Sequence, residues 1–188
     1  MTDLRRGSEW ERLWAGARLG RIDIVERLAP KWAGFAPIHE NNQTALMVAC
    51  EAGQVEAAKT LLPWSNPDAM EPGGGGALMA AVRGKNPACV SLMLGASNLA
   101  RPTPYGVNAL IDAFRQAAAL GDKEVCSLLQ AASGGKDEPW RDGSRSADVA
   151  RERGHVDLAL AIEARAAGAS LEEALPPVAG ASSFKPRL

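Results

Sequence analysis

Cys50, Cys89, Cys126, His39 and His155 are the side chains of this chain best suited to nucleophilic or metal chemistry. A zinc site would need several of them at ligand spacing, and a catalytic thiol would need a histidine beside it as base. They do not fall that way. The cysteines are odd in number, have no CxxC pair, and each lies on an apolar phase of a helical pattern. That placement predicts buried reduced thiols, with no disulfide and no metal. The two histidines belong to a loop and a turn in widely separated segments. The run Gly73-Gly74-Gly75-Gly76 would cradle a phosphate only if Gly-Lys-Ser/Thr followed it and opened a helix, and none does, so it reads as a flexible loop. No GxSxG, HExxH, P-loop or GxGxxG occurs. The sequence therefore predicts no catalytic residue, no cofactor and a protein that is not an enzyme.

The elements that carry these residues repeat. Leu46, Leu78 and Leu110 each sit inside Ala-Leu-(Met or Ile) and recur every 32 residues, and Ser146-Ala147-Asp148-Val149-Ala150 continues the series after a longer gap. A fixed period in the low thirties marks a stack of helical units, each burying its apolar face on its neighbours. Composition agrees. The chain is 46% hydrophobic but only 5% aromatic, so its core is Ala, Leu and Val, which suits closely packed helices. A net charge of −1 leaves no electrostatic footprint for nucleic acid or an anionic membrane. There is no apolar run of about 18 residues and no h-region near the N-terminus, so the expected location is cytoplasmic. Arginine outnumbers lysine, and alanine and glycine are abundant, as expected of a GC-rich, bacterial genome.

In chain order, Trp10, Leu13, Trp14 and Ala17 form a helical stripe with Ser8 as N-cap and Gly20 as stop, and the two tryptophans are expected to cover the end of the stack. Thr44 caps a helix through Ala52, Gly53 turns the chain, and Pro63 ends the return helix. In the third unit Gly76 stands where the threonine cap was, Lys85 replaces the turn glycine with Gly84 one residue earlier, and Pro87 opens the second helix. The fourth unit turns at Gly121, four residues late, which adds about one turn to its first helix without rotating its apolar face much. Beyond Gly168 a short helix capped at Ser170 is expected, then a flexible segment from Val178 onward.

The stretch Gln43-Thr44-Ala45-Leu46-Met47-Val48-Ala49-Cys50, followed by Gly53-Gln54-Val55-Glu56 and Leu61-Leu62, resembles an ankyrin repeat of the form T-P-L-H-x-A-A-x-x-G-H-x-E-V-V-x-L-L. Met47 and Ala45 stand in place of the usual His and Pro, and Gly154-His155 matches the turn of a last repeat. The resemblance implies an all-α solenoid of about five stacked repeats, near 8–37, 39–70, 71–101, 103–138 and 140–168, with a tail over 169–188. It implies a partner protein held on the concave face by finger loops and first helices, with no nucleic acid or membrane as partner. The positions that carry over include His39, Glu40, Asn41, Gln43 and Glu51, then Pro72, Gly73 and Arg83, then Tyr105, Val107 and Arg115, and finally Arg141, Glu152 and the neighbouring Trp140. Tyr, Trp and Arg dominate interface energetics, so Tyr105, Trp140, Arg83, Arg115 and Arg141 form the preferred patch. An adaptor, an inhibitor or a toxin-neutralising protein is expected. The alternatives are an effector delivered into another cell and a self-assembling scaffold, and a monomer is expected with a homodimer as the alternative.

Overall fold

The computed structural model describes residues 8–32, 43–70 and 75–174. Ten α-helices lie within them and form five antiparallel pairs: α1 (Glu9–Leu19) with α2 (Ile22–Leu28), α3 (Ala45–Glu51) with α4 (Val55–Leu61), α5 (Ala77–Arg83) with α6 (Pro87–Ala96), α7 (Ala109–Leu120) with α8 (Lys123–Ala132), and α9 (Ser146–Glu152) with α10 (Val156–Ala174). The first helices α1, α3, α5, α7 and α9 pack side by side in that order, and α2, α4, α6, α8 and α10 form a second row against them. This is an all-α repeat solenoid. Among the described residues no helix is long and apolar enough to cross a membrane.

One core runs the length of the stack, from Leu13 in the first pair to Ile162 in the last. It is built largely of alanine, leucine and valine, with Ala49, Ala80, Ala81 and Ala117 fully buried where neighbouring first helices meet. All three cysteines are buried free thiols within it.

Helix starts follow the sequence closely. The side chains of Thr44, Asn86, Asn108 and Asp122 accept the N–H groups of Met47, Cys89, Ile111 and Val125 at 3.2, 2.9, 2.8 and 3.0 Å. Repeat five has Arg145 where a cap belongs, and the fold supplies a substitute. The buried Asp137 carboxylate accepts from the N–H groups of Ser146 and Ala147, both at 3.0 Å. Arg145 in turn donates to the Asp137 carbonyl at 2.8 Å.

The turns show what replaced glycine in repeat three. Gly20, Gly53, Gly121 and Gly154 all take left-handed backbone angles, and Lys85 takes the same conformation with φ 50°. Gly84 is therefore not a displaced turn residue. A Cβ there would lie 2.3 Å from the Glu51 carbonyl oxygen, so it is glycine because the ends of α3 and α5 approach each other. The left-handed region costs a non-glycine residue about 1–2 kcal/mol. Lys85→Gly is accordingly expected to raise stability by about 0.5–1 kcal/mol, less the exposed bond from Lys85 Nζ to the Leu120 carbonyl at 3.1 Å. Urea denaturation of parent and variant reads this directly.

Two further features concern element length. α7 has 12 residues where α3, α5 and α9 have 7, the extra turn the late glycine implied. At the C-terminal end α10 continues unbroken through Gly168 to Ala174, so no separate short helix begins at Ser170. A single glycine inside a helix costs only about 1 kcal/mol relative to alanine, too little to break a helix docked on α8 and α9.

Candidate functional site

Two adjacent hairpins carry Tyr105, Val107, Trp140 and Arg141. In the first, the Thr103 N–H donates to the Val107 carbonyl at 2.8 Å and the Gly106 N–H to the Thr103 carbonyl at 2.9 Å. The second repeats the pattern, Trp140 N–H to Ser144 carbonyl at 2.7 Å and Gly143 N–H to Trp140 carbonyl at 2.9 Å. Gly106 and Gly143 have φ of 77° and 82°, the left-handed residue that closes a three-residue hairpin loop. These hairpins precede α7 and α9, and the contact between those helices sets one loop against the other.

The two loops meet through their side chains. The Tyr105 and Trp140 rings lie 5.9 Å apart at a 37° tilt. Arg141 lies across the first hairpin, its Cδ 3.2 Å from where a Cβ on Gly106 would sit. From α7, the Arg115 guanidinium stands 4.6 Å from the centre of the Trp140 ring and donates to Ser144 Oγ at 2.6 Å. It also lies 3.9 Å from the Asp142 carboxylate. The Ser144 hydroxyl and backbone N–H both donate to Asp142, and these bonds, with Arg115 nearby, hold its carboxyl below the usual range. Tyr105 remains 46% exposed. An aromatic pair and an arginine are thus already posed for contact, so little side-chain freedom is left to lose on binding.

A second group is centred on Glu51. Its Oε2 accepts from Gln43 Nε2 at 2.8 Å and from Arg83 at 3.3 Å. Arg18, Glu51, Arg83, Arg115 and Glu152 occupy the same register in the five first helices, counted from the turn and allowing for the longer α7. The preferred patch is thereby divided. Tyr105, Arg115, Trp140 and Arg141 come together, while Arg83 joins Glu51 and Gln43. Val107 is half-buried and its carbonyl closes the first hairpin, and Glu152 is exposed at the end of α9. His39, Glu40, Asn41, Pro72, Gly73 and Gly74 lie outside the described residues.

Beyond Glu51 a hollow of about 510 Å3 opens between α1 and α3, lined by Trp14, Arg18, Leu19, Val48 and Ala52 together with Gln43 and Glu51. Trp14, expected to cover the end of the stack, is half-buried on α1 and lines this hollow. Arg18 was legible in principle, because it precedes Gly20 as Glu51 precedes Gly53. The irregular spacing of the first unit hid that register.

Asp112 is the buried acid of this face, one turn before Arg115 on α7. Burial raises its pKa, against the opposing pull of Arg115 and Arg101. A carboxyl whose folded pKa lies above its unfolded value stabilises the fold below the ordinary value of 3.8 and loses that contribution as pH rises through the folded pKa. Asp112→Asn is therefore expected to melt higher than the parent at pH 7 and with it at pH 3, which thermal scans at the two pH values check.

Of the groups considered for catalysis, Cys50, Cys89, Cys126 and His155 are described, and none joins this site. Burial pushes the Cys126 thiol up to about 12, and a hydrogen bond to Cys89 together with burial pushes Cys50 further up. The His155 ring packs on the α7 turn, its Cε1 2.5 Å from where a Cβ on Gly121 would lie. Among the described residues no three metal-ligating side chains come together.

Compared with protein families, residues 41–71 match the ankyrin repeat model, and the match takes in α3 and α4. No curated protein matches the chain.

Proposed function

We propose that this chain, which carries an ankyrin repeat over residues 41–71, has a non-catalytic role and holds one partner protein along the face made by its first helices and hairpins, as ankyrin repeats generally mediate contacts between proteins. The observation that carries this reading is the Tyr105–Trp140–Arg115 cluster, assembled from two repeats and partly exposed. Aromatic and arginine side chains held in fixed rotamers are the groups that concentrate binding energy at interfaces. A rigid preformed surface favours an inhibitor, an adaptor or a neutraliser of another protein's activity, acting in the cytoplasm. Affinity capture from the source cell tests it, with Tyr105→Ala/Arg115→Ala as the control bait. One protein held by the parent and lost from the variant is the expected result, and an identical set on both baits overturns it.

A second reading, self-association, has one observation in its favour. Arg165 of α10 donates to Ser127 of α8, and the residue of α10 equivalent to Ser127 is Leu160, which with Val156 is exposed by half or more. That flank faces where a further repeat would stack. Light scattering after size exclusion separates the readings: a dimer that Leu160→Asp converts to monomer supports this one.

A further inference from the structure

The hollow between α1 and α3 has uneven chemistry. Its carboxylate, Glu51, already accepts two hydrogen bonds on one oxygen, from Gln43 and Arg83. Its cation, Arg18, is exposed and lies 5.8 Å from the centre of the Trp14 ring, and among the described residues it has no carboxylate partner. The remaining wall is apolar, with Leu19 51% exposed beside Trp14 and Val48. A basic side chain entering here would meet Arg18 at the wall, with Arg83 behind Glu51. A carboxylate would find an open guanidinium, held within cation–π range of an indole. The volume, about 510 Å3, lies within the range of about 300–1,000 Å3 typical of binding pockets and admits more than one side chain.

We propose that this hollow seats an acidic segment of the protein partner in which a carboxylate side chain neighbours a large apolar one. The carboxylate pairs with Arg18, and the apolar side chain covers Leu19 and the Trp14 ring. The proposal rests on the protein-binding reading above and adds a seat with its own chemistry at the other end of the same face.

The test pans a phage-displayed library of random linear peptides on the parent, on Arg18→Glu and on Tyr105→Ala/Arg115→Ala, with melting curves confirming that each variant is folded. Peptides enriched on the parent are expected to carry Asp or Glu beside Leu, Ile, Phe or Trp. Titration of a synthetic copy should show binding weakened about tenfold or more by Arg18→Glu, less so as salt is raised, because charge reversal replaces attraction by repulsion. Enriched peptides without an acid, or peptides that bind Arg18→Glu as well as the parent, overturn the proposal. Peptides lost only on the Tyr105/Arg115 variant also overturn it while leaving the binding function intact. A parent that enriches nothing overturns the seat, and the function falls with it only if affinity capture also returns no specific protein.

Discussion

Leu78→Ala is expected to cost about 2–5 kcal/mol of unfolding free energy, enough to unfold a large fraction of a stack this short at ambient temperature. Leu78 is 4% exposed on α5, the middle helix of the first row, and α5 packs on both α3 and α7. Truncation removes the transfer free energy of the deleted carbons and leaves a cavity that helices held on both sides close only in part. In a solenoid each unit is stabilised by its neighbours, so a weakened third repeat also uncouples the pairs on either side of it. Urea denaturation followed by circular dichroism reads the loss. A single transition moved to lower urea, or an early transition splitting the two halves, is the expected form, and an unchanged midpoint would mean that α5 is not held by that side chain.

Tyr105→Ala with Arg115→Ala is expected to abolish partner binding while shifting the melting temperature by only a few degrees. Hot-spot truncations cost about 2 kcal/mol or more each, which if additive would weaken binding roughly a thousandfold. The two are not independent, since both meet the Trp140 ring. The single variants are therefore expected to sum to a different value from the double one. Stability is nearly spared because Tyr105 is 46% exposed and Arg115 contributes one hydrogen bond, a long ion pair with exposed Asp142 and a contact with the Trp140 ring rather than core burial. Calorimetric titration of the captured partner into parent, single and double variants measures the loss and the coupling. Retained affinity in the double variant would move the contact surface away from these hairpins.

The period of Leu46, Leu78 and Leu110, the cap at Thr44, the late Gly121 and the last-repeat turn at Gly154-His155 were enough to derive five helical pairs, their order and the longer α7. These are local or nearest-neighbour properties: a helix's apolar stripe, its cap and its stop are written within one unit, and stacking repeats them. Which side chains meet across units was not legible. Asp137 reaching the start of α9, Gly84 set against the Glu51 carbonyl, and Arg115 set between Trp140 and Ser144 each depend on the packing distance between neighbouring repeats. So does the hollow beside Trp14 and Arg18, since it is the gap left between two helices rather than a property of either. Sequence determined the solenoid because helix formation and stacking follow from residue pattern. Only tertiary structure decided where charge and aromatic surface converge, because that depends on contacts between residues a whole repeat apart.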